Sequence, residues 1–410
     1  MRPSSPDRLS ARAEVISTLR QYGPMSQARL ARIAQLAPST LSPIFATLHR
    51  EGILAVVGSG PVASGPRGGR PSTLWCLRSS IGVVIGIDFG KQHVRIAVAD
   101  LAHEILSEKL RRIRPDSLAS LHISAAVALI DDALAELSLD RSHVMNVGAG
   151  IPGPIRLTDG HLGDSTILPG WVGVDAAEEL RAALSLPVEV ANDANLGALG
   201  EWMWGAAHGY QDAIYLKLST GIGGGLIING SPYSGTGGTA GELGHIVIDP
   251  GGPLCRCGNR GCLETIAGTA TVLGGMSGAD APTTVPELVA QASAGDERSL
   301  RAITDAGAAI GAALATVCNL FNPARIVIGG ELALAGEQLI HPIQRALHGA
   351  ALVSSSKDVD VVLGTLKERA EVLGAVALAL RGKEVSEFIR HLGDSQAADI
   401  RTASPDRVVP

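Results

Sequence analysis

Along the first eighty residues the apolar positions follow a helical spacing three times and then give way to two short strand-like runs. Leu9, Val15, Ile16 and Leu19 fall on one stripe, which predicts a helix over Leu9–Tyr22 that Gly23-Pro24 ends. Ser26 is a good N-cap for a second short helix through Leu30 and Ile33. After a turn at Ala34 to Ala37, the stretch PSTLSPIFATLHREGIL turns Leu41, Ile44 and Leu48 inward on a third helix, closed by Gly52. Pro43 conflicts with a straight third helix, because a proline beyond the first turn removes a backbone hydrogen bond; a start at Ser39 or a kink would accommodate it. Ile53 to Val57 and Thr73 to Leu77 then read as two strands around a long Gly- and Pro-rich tip.

Three short helices followed by such a hairpin predict a winged helix-turn-helix over residues 1–80. The third helix would enter a DNA groove, with Ser39, Thr40 and Ser42 small and polar enough to approach base edges. In the tip, Arg67-Gly68-Gly69-Arg70-Pro71 offers two guanidinium groups on a backbone slim enough for a minor groove, so Arg67 and Arg70 are DNA-binding candidates. Charge supports this division. The first 80 residues hold ten Arg and no Lys against Asp7, Glu14 and Glu51, a formal +7; with −6 for the whole chain, the remainder carries −13. That polarity suggests a small module meeting a polyanion, joined to a larger acidic body that does not.

Beyond residue 80, Ile81 to Asp88, Val94 to Ala99 and Glu104 to Ile113 form three successive strand-like runs, followed by a helical pattern from Ser117 to Leu137. Ala306 to Phe321 is the nearest approach to a membrane span, but it is short and Ala- and Gly-rich and reads as a buried helix. From about Ser386 apolar periodicity fades, and 391–410 read as a flexible tail. With 410 residues and 46% hydrophobic content the chain suffices for two or three globular domains. Arg2, Asp7 and Arg8 leave no room for the apolar core of a signal peptide, which points to the cytoplasm and to no membrane partner.

Five cysteines in such a chain argue against a disulfide framework. Three of them cluster in GELGHIVIDPGGPLCRCGNRGCLE, so that His245, Cys255, Cys257 and Cys262 supply the closed set of a structural zinc site. Gly258 and Gly261 let the chain fold back on itself there. With no ligand position left for an activated water, the metal would hold Glu242, His245 and Glu264 in fixed mutual geometry.

This cysteine and histidine pattern, ending on Glu264, resembles the zinc signature of the ROK family of repressors, open reading frames and kinases. The similarity covers nearly the whole chain: GIDFG (Gly86 to Gly90) resembles the family's first phosphate segment, GIPGPI (Gly150 to Ile155) its sugar-side turn and NDAN (Asn192 to Asn195) its catalytic segment. STGIGGGLI (Ser219 to Ile227) resembles the second phosphate segment and ARIVIGGEL (Ala324 to Leu332) the adenosine-side loop. The resemblance implies an α/β, two-lobed, actin-like and hexokinase-like (ribonuclease H-like) fold over about residues 81–390, each lobe on a five-stranded sheet. The small lobe would span about 81–193 with a C-terminal helix at about 372–390, and the large lobe about 194–371. It also implies sugar contacts at Asn192, Asp193, Glu242, His245 and Glu264, with Gly153 lining the site by its backbone, and nucleotide contacts at Asp88, Gly90, Thr220, Gly221, Gly223, Gly329 and Gly330. Asp193 would be the catalytic base if the chain is a kinase and a hydroxyl acceptor otherwise.

In family kinases the Asp-x-Gly segment continues with Gly and Thr, because a bare backbone must approach the phosphates closely. Here Asp88-Phe89-Gly90 continues with Lys91, Gln92 and His93, which weakens the case for ATP and magnesium, although Lys91 offers a compensating point charge. The expectation is a sugar-responsive transcriptional regulator, a repressor before an activator, that takes a free sugar in the interlobe cleft, carries structural zinc and binds operator DNA as a homodimer or homotetramer. The enzyme alternative is an ATP-dependent, glucokinase-like sugar kinase that also carries a DNA-binding module; a regulator sensing a phosphosugar or an uptake protein is a third possibility.

Overall fold

The computed structural model describes residues 11–59, 72–78, 81–115, 117–153, 155, 168–278, 280–383 and 385–387. Arg67 and Arg70 lie outside the described residues, as do Leu9 and the 391–410 tail.

Helix α1 (Ala11–Tyr22) buries Val15, Ile16 and Leu19, the stripe that the periodicity marks. The short strand β1 (Met25–Ser26) leads into α2 (Gln27–Ile33), and the Ser26 hydroxyl accepts from Arg29 N at 3.3 Å. Helix α3 (Pro38–Arg50) starts at a proline, where no donor is lost, and runs unbroken through Pro43. Pro43 stands on the exposed side. Phe45 fills the core edge-on to Trp75 at 5.2 Å, while Ile44 is only half-buried. Strands β2 (Leu54–Ser59) and β3 (Thr73–Leu77) pair antiparallel with a bulge between Val56 and Gly58, and β1 adds to β3. Ser39, Thr40 and Ser42 are exposed on the first turns of α3.

The next unit is a mixed sheet of β4 (Val83–Gly90), β5 (His93–Asp100), β6 (Ile105–Arg112), β7 (Val144–Ile151) and β8 (Val188–Asn192), in the order β6-β5-β4-β7-β8. Strands β4 to β6 form an antiparallel meander, and β7 and β8 continue parallel to β4. One face is covered by α4 (Ala119–Glu136) and α5 (Ala176–Leu184) through Ile123, Ile130 and Leu180.

Helix α6 (Asp193–Trp204) leads into the second sheet, β9 (Ala213–Leu218), β10 (Ile222–Ile228), β11 (Ser231–Pro232), β12 (Arg325–Gly329) and β13 (Asp360–Leu363), ordered β11-β10-β9-β12-β13. Its helices are α7 (Glu264–Ala267), α8 (Thr269–Gly274), α9 (Val285–Ser293), α10 (Glu297–Phe321), α11 (Glu337–Ala350) and α12 (Val353–Ser356). Among the described residues only α10 is long and apolar enough to cross a membrane, and it buries Ile303, Ile310, Leu314 and Val317 in the core beneath this sheet. The protein is thus a two-lobed, actin-like α/β fold, with five strands in each lobe.

The closing helix α13 (Ala370–Arg381) packs on β4 and β7 and crosses α6. Glycine is required at that crossing: a Cβ on Gly374 would lie 1.8 Å from Leu196 O, and one on Gly200 2.3 Å from Ala370 O. The other side of α13 meets the N-terminal module. Val15, Ile16, Leu19 and Phe45 belong to one continuous core with Val84, Ala97, Val372, Val376 and Leu380. Arg20 is buried at this junction and donates to Ser386 Oγ at 2.7 Å and Gly382 O at 3.3 Å, while Tyr22 meets Trp202 edge-on at 5.8 Å.

Candidate functional site

A cavity of about 610 Å³ opens between the two sheets. On one side it is walled by the β4–β5 turn and by Arg112, Gly153, Asn192 and Asp193, on the other by Lys217, the Ser219–Gly224 segment, Glu242, His245, Arg256, Glu264 and Glu331. The geometry follows from the ends of elements. Asn192 ends β8 and caps α6, its Oδ1 accepting from Ala194 N at 2.9 Å and Asn195 N at 3.2 Å, while its Nδ2 donates to Gly153 O at 3.0 Å. One side chain thereby ties the 150–155 turn to the start of α6.

Asp193 follows at the first helical position, where the positive helix end suits a carboxylate. Its Oδ1 accepts from Ala194 N at 2.9 Å, and its Oδ2 faces the Lys217 ammonium at 2.8 Å. Lys217 also reaches Glu371 Oε1 at 3.1 Å, on the first turn of α13. Burial would lower the Lys217 ammonium, but the carboxylates of Asp193, Glu371 and Asp88 outweigh it and hold the group well above the ordinary lysine value. Burial raises the Glu371 carboxyl, with Lys217 opposing.

Glu264 lies at the start of α7, where its Oε2 accepts from Ile222 N at 3.0 Å and from Arg256 Nη2 at 2.8 Å. Glu242 is less engaged: its Oε2 stands 3.9 Å from His245 Nε2, and burial raises its carboxyl. The acceptor-bearing side chains of Asn192, Asp193, Glu242, Glu264 and Glu331 thus line one polar cavity, a composition suited to a polyol.

His245 faces two ways. Its Nε2 points to Glu242 and its Nδ1 lies 3.6 Å from Cys255 Sγ, while Cys257 Sγ lies 3.6 Å from Cys262 Sγ; all four candidate ligand atoms fall within 4.8 Å of one another. A tetrahedral zinc with Zn–S of about 2.3 Å and Zn–N of about 2.0 Å sets S···S near about 3.8 Å and S···N near about 3.5 Å, so the set fits the ion. Burial and the neighbouring thiols push the Cys262 thiol up to about 12, whereas the backbone at Asn259 lowers the Cys257 thiol; Cys262 in particular needs a cation to stay deprotonated. Gly261 makes the reversal possible, since at φ +63° its Cβ would lie 1.5 Å from Asp249 O.

The residues predicted for nucleotide divide. Gly90, Thr220, Gly221 and Gly223 line the cavity, whereas Asp88, Gly329 and Gly330 are not among its lining residues. Asp88 is buried, and its Oδ2 lies 2.8 Å from His93 Nε2. Burial would raise this carboxyl, but the hydrogen bond and charge of His93, with Lys217 and Arg95, hold it below the usual range. The His93 ring lies on Gly90 so closely that a Cβ there would come within 2.1 Å of His93 Cε1. Packing also explains other glycines of these segments: a Cβ on Gly225 would meet Ala194 O at 2.6 Å, and one on Gly329 the Tyr215 hydroxyl at 2.3 Å.

Sequence reasoning passed over Lys217, Arg256 and Glu371. Lys217 carried a signal, a lone charge in the apolar strand AIYLKL, and Arg256 stands between two metal-ligand cysteines. Glu371 had none, because its partners lie 154 and 156 positions away on β9, at Lys217 and Tyr215.

Residues 84–382 match the profile of the ROK family. The chain is 26% identical over 382 residues to a xylose repressor of Caldicellulosiruptor bescii, covering 89% of this chain and 94% of that protein. It is 32% identical over 308 residues to a glucokinase of Halalkalibacterium halodurans, covering 71% of this chain and 92% of the glucokinase. A solved ROK family transcriptional regulator, a homologue of the Escherichia coli MLC protein, superposes with a TM-score of 0.71 at 25% identity, covering 93% of this chain and 97% of that one.

Proposed function

The chain belongs to the ROK family, and from that premise we propose that it is a sugar-responsive, DNA-binding transcriptional repressor of the cytoplasm. Residues 1–80 form its winged helix-turn-helix, residues 81–390 its sugar-binding body and residues 391–410 a tail. The small lobe takes in about 81–193 and the C-terminal helix about 372–390, the large lobe about 194–371. The sugar lies among Gly153, Asn192, Asp193, Glu242, His245 and Glu264, where a hydroxyl left unpaired would be costly and so be read as the wrong ligand. Zinc on His245, Cys255, Cys257 and Cys262 supplies structural cross-linking. Ser39, Thr40 and Ser42 meet base edges, Arg67 and Arg70 the wing's groove, and two copies or four present paired modules to an operator. In support, the xylose repressor matches 89% of the chain, more than residues 81–410 alone make up, whereas the glucokinase matches 71%.

The observation that carries this reading over a kinase is His93. Its ring covers the Gly90 backbone and engages Asp88, so the surface a terminal phosphate needs is taken by a side chain. Asp193 is then a hydroxyl acceptor, already shared with Lys217. The second reading, an ATP-dependent sugar kinase carrying a DNA-binding module, rests on Thr220, Gly221 and Gly223, which line the cavity that Asp193 also faces. A coupled assay with ATP, magnesium and a sugar panel, run beside calorimetric sugar binding without ATP, separates the two. Binding without turnover supports the sensor; turnover abolished by Asp193→Ala overturns it.

A further inference from the structure

The cavity floor and the DNA-binding module are joined by one helix. At its first turn α13 presents Glu371 to Lys217, and just past its last turn Gly382 O receives Arg20 of α1. Between these ends Val372, Leu373, Val376 and Leu380 share a core with Val15, Ile16, Leu19 and Phe45 of the N-terminal module. There is no slack beneath the helix, since a Cβ on Gly86 would lie 2.4 Å from Val372 O. A shift of the first turn of α13 therefore moves side chains packed against α1.

Lys217 stands at the head of this helix with one ammonium for two carboxylates. It lies 2.8 Å from Asp193 Oδ2, in the cavity wall, and 3.1 Å from Glu371 Oε1, which does not line the cavity. Tyr215 also donates to Glu371 Oε1, at 3.4 Å. Asp193 Oδ1 already accepts from Ala194 N at 2.9 Å, so a hydroxyl that donates to Oδ2 competes there with Lys217. In this structure the ammonium holds both carboxylates at once, so weakening its contact with Asp193 shifts it toward Glu371. A contact that ligand weakens at one end of α13, on a helix whose side chains share a core with α1, can couple ligand and operator reciprocally.

We infer that Lys217 and Glu371 are the relay of the sensor: ligand at Asp193 releases the Lys217 ammonium toward Glu371, and α13 carries the change into α1 and the helix-turn-helix. This rests on the sugar-sensing reading above. Glu371 is a positioning residue that touches neither ligand.

The test uses the full-length protein and Glu371→Gln, which keeps the shape and removes the charge. Calorimetry with D-glucose, D-xylose and N-acetyl-D-glucosamine selects a sugar, and an operator is selected from random duplexes with the unmodified protein. In the unmodified protein the sugar should change operator Kd by roughly 5–150-fold, the usual span of allosteric coupling. In Glu371→Gln the sugar Kd should stay within about twofold while the operator response falls to about twofold or less. An undiminished response overturns the relay, as does loss of sugar binding, which would make Glu371 part of the sugar site. If the unmodified protein binds no sugar, or its operator ignores a bound one, the sugar-sensing reading fails first and the relay with it. A measurement free of mutation guards against misfolding: sugar should alter amide hydrogen exchange at residues 371–373, and unchanged exchange there refutes the proposal.

Discussion

His103 makes attachment of the N-terminal module sensitive to acid. It is a non-glycine residue at φ 72°, buried between the two units, with Nε2 on the Arg20 carbonyl at 2.5 Å and its ring 5.7 Å from Trp204. Gly23 packs on the ring, a Cβ there falling 3.1 Å from Nδ1. Burial is the main cause that lowers the imidazole from 6.5 to about 4, with the charges of Arg20 and Arg381 in the same direction and the Arg20 carbonyl opposing. The unfolded chain therefore binds this proton before the folded one does, and stability rises with pH between those two values. The contribution is complete above pH 6.5, is lost as pH falls toward about 4, and is constant below. At about 1.4 kcal/mol per pH unit it amounts to about 3 kcal/mol. His103→Asn is the control, since Asn tolerates a positive φ and does not titrate. Urea unfolding followed by tryptophan fluorescence, read at Trp202 and Trp204 beside the junction, should show the parent losing about 3 kcal/mol more than the variant between about pH 7.5 and pH 4. A pH-independent difference between the two proteins would refute the reasoning.

Two further outcomes concern the metal and the wing. Cys257→Ser should abolish zinc retention, measured by mass spectrometry, and weaken sugar binding through His245 and Glu264, which flank the ligand segment; a metal-free variant with full sugar affinity would break that link. Arg67→Ala combined with Arg70→Ala should weaken operator binding and reduce the slope of log K against log salt by roughly 0.9 per lost phosphate contact, whereas an unaltered slope means these arginines touch no phosphate.

Much of the framework was legible because it depends on neighbours in the chain. The α1 stripe, the Ser26 cap and the strands of the hairpin appear where local periodicity puts them. The metal ligands were legible for a similar reason: three of the four come from an eight-residue span, Cys255 to Cys262, with glycines that only a tight reversal needs. Pro43 misled in part. It costs α3 one backbone hydrogen bond in the second turn, and the helix, which starts at Pro38, continues through it with Pro43 on the exposed side. Ile44 packs at the edge of the core, half-buried, while Phe45 fills its interior against Trp75, which arrives from a strand thirty residues later.

By itself, then, the sequence determined the helices and hairpin of the first eighty residues and the strands that follow, the charge division between module and body, the cluster of three cysteines and a histidine, and the departure at Lys91-Gln92-His93 from a phosphate segment. Those follow from spacing, composition and short-range geometry. Only the tertiary structure decided what the departure does, by laying His93 on Gly90 and against Asp88. It alone joined Lys217 to Asp193 and Glu371, and Arg20 to Gly382 and Ser386. His93 lies close to Gly90 and Asp88 in the chain, but the spacing alone does not say that its ring turns onto them. The lysine and arginine pairings join residues 24 to 366 positions apart, and no local pattern along a chain specifies which of them share a low-dielectric site.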